Sequence, residues 1–363
     1  MTLPIALIVL CLTGQTAQTG QTGQTGQTAQ TGQTGQTSPT NRLLPLTLSV
    51  IPGIVWPGAG HFVAGDRPGA KKLTWWGLAG LGLAGAGGLA LALTNSSRHG
   101  TWFPVSALWL GAGGFLTAKF ADWFGTATGG TAAWAPPTPV WEVRSGLVWS
   151  GDVLSDDPLL GRLDAEGRHR TWRGAFSLEA APSGEDRRLA ALVGWSFWRP
   201  PAGARDGSFW ELTLGAADWR FGPDPVRLTS VELQVTHRRD LRCVHPTLAG
   251  SFAEGALGLG LELAGYPGLE SFGDRELSRL ALGHFAFGVY LGPGRGELAL
   301  YYDHRHDGRT GGLQLQVSGD GPAGAVGLRG RFRLTGGWFL WADAARGAHW
   351  VTMAGVGLAG GGR

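Results

Sequence analysis

From about residue 138 onward the chain repeats one pattern: a run of roughly ten residues, apolar at every second position, then a polar or glycine-rich turn. Leu257, Leu259, Leu261 and Leu263 alternate with Ala256, Gly258, Gly260 and Glu262. In an extended strand successive side chains point to opposite faces, so each run has one oily face and one small or polar face. Val231, Leu233 and Val235 oppose Glu232, Gln234 and Thr236 in the same way. Phe285, Phe287, Val289 and Leu291 oppose His284, Ala286, Gly288 and Tyr290.

The oily faces recur without an amphipathic helix between them to cover them. A further run sets Val326, Leu328, Phe332 and Leu334 against Arg329, Arg331 and Arg333. Three arginines on one inward face would be intolerable in a dry core without partners, whereas a wet lumen accepts them. The pattern therefore predicts an all-β membrane protein, an antiparallel transmembrane β-barrel of about 12 strands over 140–363. Candidate strands are 140–149, 171–181, 188–198, 208–221, 227–238, 248–264, 278–291, 296–306, 312–318, 324–334, 338–345 and 349–359. Trp149, Trp172, Trp198, Trp210, Trp219, Phe221, Trp338, Trp341 and Trp350 crowd their ends and read as interfacial aromatic girdles. Charged residues make up only 16% of the chain, against about 25% in soluble domains.

Upstream of the barrel the composition changes three times. Residues 1–17 read as an export signal, with an apolar core from Leu3 to Leu12. Residues 18–42 are a tether dominated by Gln-Thr-Gly/Ala repeats, with no apolar face to bury. Residues 43–126 form an apolar, glycine-rich helical hairpin, with helices near 69–94 and 104–124 and only two acids, Asp66 and Asp122. Its opening, Pro57-Gly58-Ala59-Gly60-His61, resembles the Pro-Gly-x-Gly-His/Gln segment that begins hydrophobic helical hairpins in many bacterial envelope proteins. That resemblance implies architecture and no chemistry, and His61 is expected as an interfacial or capping group. Residues 127–139, with Pro136-Pro137, are the linker into the barrel.

The hairpin raises a conflict of destination. Leu73–Thr94 carries no charge and is long enough to span a bilayer. Its leucines contribute roughly −2 to −4 kcal/mol to insertion and its glycines and alanines almost nothing, so retention in the inner membrane is marginal. The two destinations are the bacterial outer membrane and, alternatively, the inner membrane with the hairpin as anchor.

Chemistry has one candidate, Tyr301-Tyr302-Asp303-His304-Arg305-His306-Asp307-Gly308-Arg309. It resembles the Tyr-x-His-x-Ser-Asn-Gly segment of outer-membrane phospholipase A and the shorter His-x-Ser of lipid A deacylases. The resemblance implies His304 as a general base, with His306 standing where the nucleophilic serine belongs. His304, His306 and Asp307 are the catalytic alternatives, and His304 with His306 the alternative metal ligands, since i and i+2 share a strand face. A third reading makes them interfacial polar side chains.

The leading functional expectation is a non-enzymatic outer-membrane protein, a structural envelope component or a small pore. Arg329, Arg331 and Arg333, with Glu232 and Gln234, are expected to face the lumen, and the arginines to favour anions. The alternative is an outer-membrane lipid hydrolase centred on His304. No cofactor is implied. Membrane lipid, lipopolysaccharide and the barrel-assembly machinery are the expected partners. A net charge of +3 gives no case for nucleic acid.

Overall fold

The computed structural model describes residues 56–93, 102–150, 158–200, 205–222, 226–265, 275–304, 324–347 and 350–361. Three helices, α1 (Ala59–Val63), α2 (Arg67–Leu93) and α3 (Trp102–Thr128), precede the barrel. Twelve strands follow: β1 (Trp141–Ser150), β2 (Leu159–His169), β3 (Trp172–Ala180), β4 (Arg187–Trp198), β5 (Phe209–Phe221), β6 (Val226–Asp240), β7 (Ser251–Gly265), β8 (Arg275–Leu291), β9 (Gly296–Asp303), β10 (Ala325–Arg333), β11 (Trp338–Arg346) and β12 (Trp350–Gly360). Each pairs antiparallel with its sequence neighbours, and β12 returns to β1 with Trp141 opposite Gly360, closing the ring. Closure removes the unpaired edges that an open sheet would expose to lipid.

The register carries one parity around the whole ring. Glu142, Glu166 and Ala175 share a level, as do Glu232, Gly260 and Leu280. The opposite parity is exposed along strand after strand: Val143 and Leu147, Val231 and Leu233, Leu259 and Leu261, Val326 and Leu328. This exposed apolar wall faces hydrocarbon and the inner wall is polar, the defining arrangement of a membrane barrel.

The strand inventory differs from expectation at two places. β2 was not among the candidates, because its outward face offers only Leu159 and Leu163 among Gly161, Ala165 and Gly167, while Arg162, Asp164, Glu166 and Arg168 line its other face. The candidate at 312–318 lies outside the described residues, and β9 pairs directly with β10. The girdles are also thinner than expected. Trp219, Phe221 and Trp341 are buried on the inward parity, with 6%, 3% and 9% exposure. A rim of aromatics does run outside β3 to β6, from Trp172 to Trp195, Phe197, Trp210 and His237, at centroid spacings of 6.5, 5.7, 6.0 and 4.0 Å.

Helices α2 and α3 form a tight antiparallel pair, and α3 lies on the outer wall of the barrel. Gly80 and Gly87 of α2 meet α3 so closely that a Cβ at Gly80 would stand 2.6 Å from the Phe115 nitrogen, and one at Gly87 2.5 Å from that of Leu108. Small residues let the two backbones approach, as in membrane helix pairs. The other side of α3 rests on outward residues of β8: Phe120 lies 5.7 Å from Phe287, and Trp109 covers Gly283. At 27 residues each, the helices are about 40 Å long, comparable to a bilayer with its headgroups. Among the described residues, α2 alone is long and apolar enough to cross a membrane as a helix.

Candidate functional site

The inner wall is a lattice of ion pairs. Arg162 reaches Asp164 at 2.9 Å and Glu179 at 2.9 Å; Arg173 reaches Glu166 at 3.0 Å and Glu211 at 2.9 Å. Farther round, Arg238 meets Glu297 at 2.5 Å and stacks 3.5 Å over Phe252. Two inward arginines of β10 belong to the same lattice. Arg329 binds Glu254 at 2.6 Å and Arg331 binds Glu142 at 2.7 Å. Arg333 shares their parity opposite Phe339 of β11. Glu232 and Gln234 stand on the inward parity of β6. His284, also inward, sits 3.2 Å from Glu254 and 3.6 Å from Asp303.

The lumen is asymmetric. Toward β6–β9, at the end where the barrel's own first and last strands begin and finish, it is filled. Ala133 packs among Phe252, Ala286, Tyr290 and Ala299, all on the inward parity, and Trp134 bridges to Pro293. Arg205 lies 4.2 Å over the Trp134 ring. The segment expected as a plain linker thus enters the barrel mouth and narrows it. Toward β1–β6 the inward residues shrink to Ala175, Ser177, Ala190, Gly215 and Ala217, leaving a cavity of about 240 Å³ bordered by Arg144, Arg162, Arg173, Arg188, Glu166 and Glu232.

His304 follows β9 on the outer wall, not in the lumen. Its backbone N–H donates to the Gly283 carbonyl at 2.7 Å, its Nδ1 lies 2.8 Å from the Tyr302 hydroxyl, and Trp109 of α3 covers its ring at 3.8 Å. His306 and Asp307 lie outside the described residues. Among the described residues no three His, Cys, Asp or Glu side chains are arranged to hold a metal ion.

A second polar cluster joins the hairpin to the barrel, and the sequence reading missed it. His61, expected as an interfacial or capping group, is 2% exposed and packs inside this junction. Gly58, at φ 96°, turns the chain so that α1 folds back onto α3. His61 there faces Gly125, where a Cβ would stand 2.5 Å from Nε2. Asp122 accepts from the backbone N–H of Gly60 at 3.2 Å and of His61 at 3.1 Å, and from His61 Nδ1 at 2.6 Å. With Nδ1–H held by Asp122, Nε2 is left to accept the Thr247 hydroxyl at 3.0 Å. His245 Nδ1 lies 2.8 Å from the same oxygen and 3.4 Å from Asp66. Lys72 donates to the Val244 carbonyl at 2.7 Å. The result is a hydrogen-bonded latch between the hairpin and the β6–β7 connection. The signal that could have found it was the scarcity of acids: both carboxylates of the apolar region converge there.

Solved structures similar to this chain include the outer membrane protein Omp33 of Acinetobacter baumannii, at 8% identity and a TM-score of 0.32, covering 61% of this chain and 98% of that one. The NanC porin gives 11% identity and a TM-score of 0.35, covering 60% of this chain and 98% of that one. Outer membrane phospholipase A from Escherichia coli gives 10% and 0.34, covering 62% and 94%. No protein-family model and no curated protein sequence matches the chain.

Proposed function

We propose that the protein is a narrow channel of the bacterial outer membrane, its lumen lined largely by paired charge and its outer wall braced by the helical hairpin. The lumenal asymmetry carries this reading: ion pairs, aromatics and the 131–135 segment fill one side, while small residues keep the other open. A ring of twelve strands exceeds the roughly eight whose interior side chains alone can fill. As an outer-membrane barrel it would be inserted by the barrel-assembly machinery and would contact phospholipid and lipopolysaccharide.

The expected anion preference needs revision within this reading. Arg329 and Arg331 each face a carboxylate within 2.7 Å, so they present little uncompensated charge to a permeating ion. Planar-bilayer recording with a salt gradient tests both points. We expect small, discrete conductance steps and a cation-to-anion permeability ratio close to one. A folded, heat-modifiable protein giving no conductance above the bare bilayer would refute the channel.

A further inference from the structure

The lumenal cavity contains one cation and one anion that its own walls leave unmatched, and this points to the class of solute it takes. Of the arginines around it, Arg162 is held by Asp164 and Glu179, and Arg173 by Glu166 and Glu211. Arg144 sits 3.4 Å from Asp164 and 3.5 Å from Glu142, carboxylates that have closer partners in Arg162 and Arg331. Arg188 differs. It makes no salt bridge among the described residues; Glu179, opposite it on β3, has its Oε1 on Arg162. Its guanidinium lies 4.9 Å over the Trp219 ring, and its Nε is buried without a hydrogen-bond partner. On the other side of the cavity Glu232 of β6 likewise makes no salt bridge among the described residues. Both line the same cavity: Trp219 of β5 underlies Arg188, and on β5 the small inward residues Ala217 and Gly215 lead from there to the level of Glu232.

Leaving a charge unpaired in a partly desolvated niche is costly, and the cost falls when a ligand supplies both counter-charges at once. A simple anion would match Arg188 and leave Glu232; a simple cation would do the reverse. We propose that the cavity is a binding site for small zwitterions of the amino-acid class, with the solute's carboxylate on Arg188 and its ammonium on Glu232. About 240 Å³ accommodates a solute of that size. This inference rests on the channel reading for access to the lumen, and it assigns that channel a substrate class.

The test is calorimetric titration of the full-length protein in detergent micelles at neutral pH with L-serine, acetate, ethylammonium and glycerol. Serine should bind at least tenfold more tightly than acetate or ethylammonium, and glycerol should give no heat. Arg188→Gln and Glu232→Gln should each weaken serine at least tenfold, and the exchanged pair Arg188→Glu/Glu232→Arg should recover part of the loss. Heat-modifiability on gels checks that each variant is folded, and the comparison among the four solutes needs no variant. Absence of serine binding to the wild-type protein, or binding no tighter than that of acetate or ethylammonium, would overturn the proposal. So would serine binding that both single variants retain. Bilayer recording on the same preparation separates the two readings: conductance without serine binding sinks the site and keeps the channel, while binding without conductance does the opposite.

Discussion

Asp122→Ala should release α1 from the hairpin–barrel junction while leaving the barrel folded. Asp122 is 2% exposed and accepts three close donors, the backbone N–H groups of Gly60 and His61 and the ring Nδ1 of His61, besides the Thr126 hydroxyl at 3.5 Å. Alanine leaves all three without that acceptor, at about 1–3 kcal/mol for each stranded donor. Because the donors can relax together, a total of roughly 3–5 kcal/mol is reasonable, as for breaking a buried charged pair. At 1.4 kcal/mol per decade this is a rise of roughly 100-fold to several thousandfold in the local opening constant. Hydrogen-exchange mass spectrometry in micelles reads it directly, as faster exchange of amides 58–66 with strands β1 to β12 unchanged. Asp122→Asn should give a smaller effect, since its amide oxygen still accepts. Thr247→Val should cost about 1–3 kcal/mol, because it removes the hydroxyl that joins His61 and His245. Unaltered exchange at 58–66 in the alanine variant would refute the reasoning, as would exchange that rises equally across the barrel.

The latch should also respond to pH. Desolvation places the His245 pKa below the usual histidine value of 6.5; Lys72 and His61 push the same way, and Asp66 opposes them. A histidine depressed in the folded state stabilises it while neutral. That stability is present above the unfolded pKa and is lost as pH falls through the lowered folded value. Protection of amides 58–66, taken relative to their intrinsic exchange rates, should therefore fall as pH is lowered from 7 to 5, and His245→Gln should flatten the response; a pH-independent wild-type protection would contradict it. In the hairpin, Gly80→Val should separate α2 from α3 at a cost of about 1–3 kcal/mol, seen as faster exchange in both helices. In the lumen, Arg331→Ala should lower the temperature of the heat-modifiability transition by the equivalent of about 1–3 kcal/mol, and the double change with Glu142→Gln should recover much of it. Finally, wild type and His304→Ala should be equally inert toward phospholipid vesicles and lipid A, because the His304 ring is packed between Trp109 and Tyr302; fatty-acid release that disappears in the variant would restore the hydrolase alternative.

Barrel parity was legible because it is a local, two-residue property repeated many times. A strand such as β7 declares its lipid face through four leucines, and no tertiary contact can reverse that. β2 escaped because glycine and alanine supply much of its outward face, leaving charge as its dominant signal. The lumen was legible only in kind. Parity says that Arg329 and Arg331 point inward, but Glu254 and Glu142 come from strands several places away around the ring, and pairing at that distance depends on closure and register. The same limit hid the latch: His61 and Asp122 are 61 residues apart and Thr247 a further 125, with no motif linking them.

The placement of the hairpin follows from these parts. A glycine- and alanine-rich helix gains little from lipid alone, so α2 depends on what it touches. It touches α3 through Gly80 and Gly87, and α3 touches β8 through Trp109, Gly113 and Phe120. Those barrel contacts use outward residues of β8 that would otherwise meet hydrocarbon, so docking exchanges one apolar surface for another and carries little hydrophobic driving force of its own. Directional polar bonds must then fix where the hairpin sits, and most of those among the described residues cluster at His61, Asp66, Lys72, Asp122, His245 and Thr247, with a separate side-chain bond between Trp109 and Tyr302. The strand ladders close through backbone hydrogen bonds that need nothing from the helices. On this account the barrel folds first and the hairpin is captured afterwards at the latch. A chain carrying Asp122→Ala should therefore still give a heat-modifiable, conducting barrel, whereas a hairpin required for strand closure would make the same change abolish both.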